Sequence, residues 1–392
     1  MFLSRLRRVW GEPLTPADLR VALFSGNYNY VRDGANQALN RLVGYLLRQG
    51  VTVRIYSATT DTPAFPPTGD LVSVASLPFP GNRGEYHYTL GMPSATRRDL
   101  EKFVPNLVHV SAPDILGHRA VSFARARNIP VAASMHTRFE TYLRYYGLGF
   151  LEPAMRAVLR RFYSRSSVVL APTSAVADEM RADRMGRAFA IWARGIDTTI
   201  FSPDRRDLAF RQSLGISDTT PVVGFVGRLV LEKGLDIFVA AITALQSSGT
   251  THRVLVVGEG PARAMLEAKL PDAILLGHQS GIDLGRAVAS MDMLLNPSVT
   301  EAFGNVNLEA MACGLPIVAA NSPGNSHLVH DGITGRLVDP TSPAMFAEAL
   351  ADYCNDPSLC AAHGQAGLEA SKNYDWDRVN KTVLDEYLRL AG

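Results

Sequence analysis

The chain has 392 residues, 47% of them hydrophobic, and a formal net charge of +2. This length exceeds what a single ordinary core organises, so we expect two domains of roughly 200 residues or fewer each. No apolar run reaches the roughly 18 residues that span a bilayer, and no secretory signal pattern opens the chain, which favours a cytoplasmic protein. The three cysteines lack the spacing of a metal site, so we expect reduced thiols, with neither a disulfide nor a zinc site.

Basic charge is concentrated in the first half. Residues 1–190 hold 24 Lys and Arg against 14 Asp and Glu, a net charge of +10, and the remainder holds 15 against 23, a net charge of −8. The opening segment 1–10 mixes Arg5, Arg7 and Arg8 with apolar residues, as a helix lying on an anionic membrane does. It predicts peripheral contact with the inner face of the cytoplasmic membrane. An arginine-rich codon bias is an equally good explanation, because the chain has 34 Arg and only five Lys.

Short apolar runs alternate with helical patterns along the first half. Strands are predicted at 20–24, 51–56, 107–110, 131–134 and 168–171, and helices at 34–49 and 116–128. The second half repeats this rhythm, with strands predicted at 222–226, 253–257, 274–276, 293–295 and 317–320. Strand, helix and strand in this order imply parallel pairing through right-handed crossovers, so each half is expected to form a doubly wound, Rossmann-like sheet.

The segment 191–204 between the two halves has no clean period and contains Pro203. We therefore place the domain junction there, with a first domain at 1–198 and a second at 199–373. Residues 374–392 form a third segment, and most of it has a helical pattern.

Ligands of open α/β sheets bind beyond the carboxyl ends of the strands, so the residues that follow each apolar run are the informative ones. After 222–226 come Gly227, Arg228 and Lys233. Arginine forks onto two phosphate oxygens and lysine adds a point charge, so the pair can neutralise a diphosphate. Taken alone, such a pair is more often ordinary surface charge.

A further strand end is weaker evidence for a nucleotide. Gly258 follows 253–257, so the backbone there can approach a nucleotide closely. The chain lacks G-x4-G-K-[ST] and has no properly placed G-x-G-x-x-G, which argues against P-loop and NAD-binding classes.

The most informative segment is 301–318, which contains two carboxylates eight positions apart. Glu301 precedes a break at Gly304 and Asn305, and Glu309 lies within the helix predicted to follow. The start of a helix offers N–H groups to phosphate, and carboxylates accept hydrogen bonds from hydroxyls, so together they suit a nucleotide sugar. Two glutamates beside a surface helix are also common without any function.

The surrounding residues make this segment specific. It resembles the E-x7-E element of the retaining GT-B glycosyltransferases, family 4 in particular, and the matching residues are Ser298, Phe303, Gly304, Leu308, Glu309, Ala310, Met311, Gly314 and Pro316. The G-R-x4-K-G string from Gly227 matches the same family. The resemblance implies an α/β GT-B fold, in which two Rossmann-like domains face each other across a cleft. It also implies that the last helix, in 374–392, crosses back to the first domain, and that no metal or other cofactor is needed.

The resemblance assigns roles to residues of the second domain. Arg228 and Lys233 would hold the diphosphate, Glu309 the ribose, and Glu301 with the backbone of 304–306 the sugar. The full set of implied donor-binding residues there is Gly227, Arg228, Lys233, Gly258, Gly277, His278, Glu301, Phe303, Gly304, Asn305, Val306 and Glu309. Arg228, Lys233 and Glu301 are also implied to act in catalysis.

In the first domain, which would bind the acceptor, the string S-x-H-T resembles the site of the family's active-site histidine, so His136 is implied to contact the donor sugar. Asp33 and Gly34 occupy the place of a glycine-rich loop near the donor phosphates, although Asp33 stands where the family has a second glycine. Arg194 belongs to a W-x-R-G-I-D string like that of bacterial mannosyltransferases. Arg138 and Arg144 are further candidates for binding an acidic sugar or the acceptor. All three arginines have a structural or solvated alternative.

The sequence therefore predicts a retaining hexosyltransferase that acts on a lipid or glycan hydroxyl, with no nucleic acid partner. The donor is GDP-mannose, a UDP-hexose or a UDP-hexuronate. Two alternatives stay open: a GT-B relative that epimerises or phosphorolyses sugars, and a scaffold that binds a nucleotide sugar without transferring it.

Overall fold

The fold is taken from a computed structural model that describes residues 13–31, 34–78, 87–136 and 147–392. Predictions made for segment 1–10 and for Asp33, Arg138 and Arg144 lie outside these residues. In chain order, the strands are β1 (Arg20–Ser25), β2 (Thr52–Ser57), β3 (Asp70–Ser73), β4 (Ser76–Pro78), β5 (His87–Thr89), β6 (Leu107–Val110), β7 (Val131–Ser134), β8 (Val168–Ala171), β9 (Phe189–Ile191), β10 (Val222–Val226), β11 (Arg253–Val257), β12 (Ile274–Leu275), β13 (Met293–Asn296), β14 (Ile317–Ala320) and β15 (Gly335–Val338).

Helices connect most of these strands. In chain order, they are α1 (Gly34–Arg48), α2 (Ser94–Phe103), α3 (Ile115–Arg125), α4 (Glu152–Tyr163), α5 (Ser174–Ala182), α6 (Leu208–Ser213), α7 (Leu235–Ser247), α8 (Arg263–Lys269), α9 (Gly281–Ala289), α10 (Asn305–Ala312), α11 (Pro343–Asn355), α12 (Pro357–Ser371) and α13 (Trp376–Ala391). None of these described helices combines the length and the apolar composition that crossing a bilayer requires.

The described residues divide into two compact units. The first contains those of Met1–Thr137 and Phe150–Gly195 together with Trp376–Gly392, and the second is formed chiefly by Ile196–Asp375. The limits predicted from the sequence, 198/199 and 373/374, stay predictions of where independently folding domains begin and end.

The first unit is built on a seven-stranded sheet in the order β3-β2-β1-β6-β7-β8-β9, in which every neighbouring pair is parallel. Its central strands β6, β7 and β8 are buried along their whole length, because a doubly wound sheet is covered by helices on both faces. α13 completes this unit, and its residues Val383 and Tyr387 are fully buried in the same core as β1.

Gly195 explains how closely the start of α13 packs on this unit. A Cβ atom at Gly195 would lie 2.5 Å from the Trp376 ring, so no larger residue fits there without a shift.

The second unit has a six-stranded parallel sheet in the order β12-β11-β10-β13-β14-β15. Its core packs α7 and α11 against the sheet through residues such as Phe238, Phe346 and Leu350. The strand order reverses beside β10, since β11 and β12 extend to one side and β13 to β15 to the other. The carboxyl ends of β10 and β13 therefore flank the switch point, where ligands of doubly wound sheets bind.

Candidate active site

Three glycine turns lie side by side at the carboxyl ends of β10, β11 and β12. The Gly227 N–H donates to the Val257 carbonyl at 3.0 Å, and the Gly258 N–H donates to the Gly277 carbonyl at 2.8 Å. Gly227 and Gly258 have φ of 149° and 145°, and a Cβ at Gly258 would lie only 1.9 Å from the Gly227 oxygen. Glycine is therefore required at Gly258, and it leaves backbone rather than side chains at this edge of the sheet.

Lys233 and Glu301 meet at the switch point. Lys233 ends a 3-10 turn after β10, and its Nζ donates to Glu301 Oε1 in the loop after β13 at 2.6 Å. The lysine side chain is 29% exposed and that of the glutamate 12%, so the pair is largely withdrawn from solvent yet still reachable. A cation and a carboxylate thus stand together beyond adjacent parallel strands, and their roles towards the diphosphate and the sugar stay predictions.

Close backbone contacts hold these two loops in register. Gly234 has φ of 71°, and a Cβ there would come within 2.8 Å of the Pro297 oxygen. The buried Thr300 hydroxyl donates to the Glu232 carbonyl at 2.9 Å, which joins the residue before Glu301 to the residue before Lys233. The Lys233–Glu301 geometry is therefore set by backbone packing as well as by charge.

A buried asparagine network, which the sequence analysis missed, supports the same loop. Asn296 Nδ2 donates to Asn307 Oδ1 at 2.8 Å, and Asn307 Nδ2 donates to Asn325 Oδ1 at 2.9 Å. Asn325 Nδ2 in turn donates to the carbonyls of Ser298 and Ala320, at 3.0 and 2.9 Å. The end of β13, the start of α10 and the loop after β14 are thereby locked together.

The first turn of α10 presents backbone donors beside this pair. Gly304 is the N-cap, with φ of 83°, and it supplies no side-chain cap. The N–H groups of Asn305 and Val306 have no acceptor among the described residues, as expected for a helix start that receives an anion or a polar ligand. Phe303 is only 3% exposed and its ring lies 4.6 Å from that of His327, so the residue packs inside the unit, and its donor contact stays a prediction.

Glu309 lies one turn further along α10 and is partly buried. Its carboxylate accepts no hydrogen bond from the described residues, and burial raises its pKa to about 8. With its pKa raised in this way, the free Glu309 carboxyl group is mainly protonated at neutral pH, so it can both donate a hydrogen bond to a ligand hydroxyl and accept one from it. Arg228 and His278, by contrast, are exposed at the ends of β10 and β12.

In the first unit, His136 follows β7 and is held on both sides. Arg194 Nη2 donates to His136 Nδ1 at 2.7 Å, and Ser134 Oγ lies 2.9 Å from His136 Nε2. Ser134 also contacts the buried His109, which reaches Tyr387 of α13. The sequence patterns indicated His136 and Arg194 separately, and they gave no role to Ser134, His109 or Tyr387. Gly34 begins α1, in agreement with the predicted helix start.

Comparisons with known proteins show the family to which the chain belongs. The description "Glycosyltransferase Family 4" matches residues 32–211, and "Glycosyl transferases group 1" matches residues 220–356. A GDP-mannose-dependent alpha-mannosyltransferase of Mycolicibacterium smegmatis is 31% identical over 329 residues, which cover 82% of this chain and 84% of that protein. The chain belongs to glycosyltransferase family 4.

Two further relatives are named for transfer of the same sugar and of a different one. A GDP-mannose-dependent alpha-mannosyltransferase of Corynebacterium glutamicum is 30% identical over 76% of this chain and 70% of its own length. The sulfoquinovosyl transferase SQD2 of Arabidopsis thaliana is 26% identical over 95% of this chain and 74% of its own length. Family membership confirms that this family 4 protein is a glycosyltransferase.

Solved structures confirm the GT-B fold. The sucrose-phosphate synthase of Thermosynechococcus elongatus has a TM-score of 0.79 at 20% identity and covers 95% of this chain and 99% of its own. The HepE protein of Anabaena, solved in complex with UDP-glucose, has a TM-score of 0.70 at 19% identity and covers 93% of this chain and 98% of its own. At these identities the likeness supports the fold alone.

Proposed function

We propose that this glycosyltransferase moves a hexose, with retention at the anomeric carbon, from a nucleotide sugar to a hydroxyl of a lipid or glycan. The observation that carries the proposal is the Lys233–Glu301 pair beside the N–H groups of Asn305 and Val306. Cationic and N–H donors suit a diphosphate, and the carboxylates suit sugar hydroxyls. This edge of the second sheet carries groups that suit the diphosphate and the sugar hydroxyls of a donor.

The chemistry follows from these groups. Lys233 and Arg228 neutralise the charge that develops on the nucleoside diphosphate as the bond to the sugar breaks. The acceptor hydroxyl approaches on the same face, and the departing phosphate oxygen takes its proton. Glu309 accepts hydrogen bonds from the ribose, and Glu301 binds the sugar, so neither carboxylate has to form a covalent intermediate.

We propose GDP-mannose as the first donor to test. The support is the name shared by the mycobacterial and corynebacterial relatives, together with the W-x-R-G-I-D string around Arg194. A UDP-hexose or UDP-hexuronate is the competing donor class.

Donor choice is testable by a panel of GDP-mannose, UDP-glucose, UDP-glucuronate and UDP-N-acetylglucosamine. A bound donor raises the melting temperature by mass action, so the true donor is expected to give the largest rise. Glu309→Gln should abolish that rise, whereas Glu369→Gln, an exposed glutamate of α12, should keep it. A rise that survives Glu309→Gln contradicts the ribose contact. A donor that binds but is neither transferred nor hydrolysed favours the non-transferring scaffold.

For the acceptor side, we propose a cytoplasmic protein that touches anionic lipid. Exposed apolar and basic side chains coincide at α4 and just before it. Phe150 is 76% exposed and Val158 47%, and Arg160 and Arg161 are exposed on the same helix. Such a mixture suits an interface with acidic headgroups.

Sedimentation with vesicles tests this contact. Vesicles with phosphatidylglycerol should bind the protein and pure phosphatidylcholine vesicles should not, and Phe150→Ser with Arg161→Gln should weaken binding. Equal recovery with both vesicle types contradicts the proposal.

A further inference from the structure

A continuous chain of polar groups runs through the first unit behind His136. It passes from Arg194 through His136, Ser134 and His109 to Tyr387, and adjoining members lie within hydrogen-bond distance. Arg194 is 5% exposed, and Ser134, His109 and Tyr387 are fully buried. The chain crosses the sheet from the loop after β9 to the last helix, α13.

The direction of the hydrogen bonds at His136 is fixed by Arg194. A guanidinium only donates, so His136 Nδ1 must accept, and the proton of the neutral ring lies on Nε2. His136 Nε2–H then donates to Ser134 Oγ at 2.9 Å. Ser134 Oγ also lies 2.9 Å from His109 Nε2, and His109 Nδ1 is hydrogen-bonded with the Tyr387 hydroxyl. Neither imidazole has a free nitrogen.

The surroundings reinforce the neutral form. Burial is the largest cause that lowers the pKa of His136 well below its ordinary value, and the charge of Arg194 lowers it further. Burial also lowers the pKa of His109 to about 3. A proton added at His136 Nδ1 would point at the guanidinium.

Packing fixes the ring planes as well. The Trp192 ring meets His136 edge-on at 5.2 Å and His109 at 5.9 Å. Arg194 is anchored independently, because Nη1 also donates to the Trp192 carbonyl at 3.1 Å. The imidazole is therefore held in one tautomer and one orientation.

We propose that Arg194 is the positioning residue of His136, and that it holds the imidazole as a neutral, fully hydrogen-bonded group which neither gives nor takes a proton during transfer. This inference rests on the proposed function for the role of His136 beside the donor sugar. The arginine of the W-x-R-G-I-D string thus acts within the first unit. It acts through His136 and not by direct contact with phosphate.

Nuclear magnetic resonance of protein labelled with 15N-histidine tests the tautomer without any substrate. His136→Gln assigns the signal. We expect wild-type His136 to show an unprotonated Nδ1 and a protonated Nε2 throughout pH 5.5–8. Arg194→Met should give a mixture of tautomers. Arg194→Lys keeps a cationic N–H donor and should restore much of the wild-type pattern. Arg211→Met is the matched control, because Arg211 is an equally buried arginine of the second unit.

Kinetics supply the second readout. Arg194→Met should lower kcat by about 10- to 100-fold, as expected for a misplaced active-site group, while the KM for the donor changes by less than about threefold. Arg194→Lys should recover part of kcat. Arg211→Met should lower thermal stability but leave the His136 signal unchanged.

Two results would overturn the inference: a wild-type His136 with a protonated Nδ1, or an Arg194→Met variant whose His136 signal matches wild type. Failure of the proposed function gives a different pattern. In that case no donor is consumed, while the spectra still report whether Arg194 fixes the tautomer.

Discussion

The two units differ in whether the polar groups of their candidate sites have hydrogen-bond partners. At the carboxyl ends of β10 and β13, the N–H groups of Asn305 and Val306 and the carboxylate of Glu309 have no partner among the described residues. In the first unit, both nitrogens of His136 are occupied by Arg194 and Ser134.

Polar groups without partners indicate ligand binding, whereas polar groups with all their partners indicate a structural role. Buried polar groups without partners cost free energy, so a folded protein keeps them where a ligand completes their hydrogen bonds. A saturated chain instead stabilises one geometry and offers little to a ligand. We therefore expect substitutions in the second unit to change donor affinity, and substitutions in the first to change turnover or stability.

Lys233→Met should have the largest effect. It removes a cation expected to stabilise the leaving diphosphate and leaves Glu301, 12% exposed, without its ion-pair partner. We expect kcat/KM to fall by about 100- to 1,000-fold, the range seen when one such donor is lost. The control is Lys372→Met, which breaks an exposed ion pair with Glu369 and should change kcat/KM by less than about twofold. Similar losses in both variants would contradict the assigned role.

Asn325→Leu should destabilise the second unit. The change leaves the carbonyls of Ser298 and Ala320 and the amide of Asn307 without their present partner. The expected loss is about 3 kcal/mol of unfolding free energy, because several buried groups become unsatisfied together. Urea denaturation measures it.

Asn355→Leu is the matched control for Asn325→Leu. Asn355 is exposed at the end of α11, so its replacement should change the unfolding free energy by less than about 0.5 kcal/mol. Equal destabilisation by the two changes would show that the buried network does not support the loop.

Glu309 should make stability depend on pH. Burial raises its pKa from 4.5 to about 8, so the folded protein retains a proton that the unfolded chain releases. Glu309 therefore imposes no penalty below about pH 4.5, and its penalty grows as the pH rises towards 8 and then levels off. The melting temperature of Glu309→Gln relative to wild type should rise across pH 5–8, by an amount worth at least about 1 kcal/mol. A constant difference would contradict a buried, ionisable Glu309.

Tyr387→Phe should have the smallest effect. It removes the hydroxyl at the far end of the polar chain while keeping the ring in the core. We expect a loss of about 1 kcal/mol in stability and a change in kcat below about threefold, because Arg194 and Ser134 still hold His136. A larger kcat effect than that of Arg194→Met would reverse the order of importance along the chain.

The sequence predicted the central strands well because they are buried on both faces. β6, β7, β8, β10, β11 and β14 begin and end where the apolar runs do. It missed β3, β9 and β15, which lie at or near sheet edges. β3 and β15 each contain a charged residue, and β9 is a three-residue segment that is only partly buried, so none of the three has the pattern of a strand buried on both faces.

The site residues that could be predicted are those that closely follow a strand in the sequence. Lys233 and Glu301 are 68 residues apart, yet each follows an apolar run, so their meeting follows from the parallel sheet. Asn325 and Asn307 were missed because asparagine in a sequence resembles a turn residue. The contact between Arg194 and His136 was not predicted because β9 was not predicted. His136 follows β7 and Arg194 follows β9, and these parallel strands end at the same edge of the sheet.

The contrast between the two units is tested most directly by isothermal titration of Lys233→Met and Arg194→Met with GDP and with UDP. The nucleotide that binds wild type more tightly should bind Lys233→Met at least about 30-fold more weakly, a loss of about 2 kcal/mol, and should bind Arg194→Met within about threefold of wild type. Unchanged affinity in Lys233→Met, or an equal loss in Arg194→Met, would contradict the assignment of donor binding to the ends of β10 and β13.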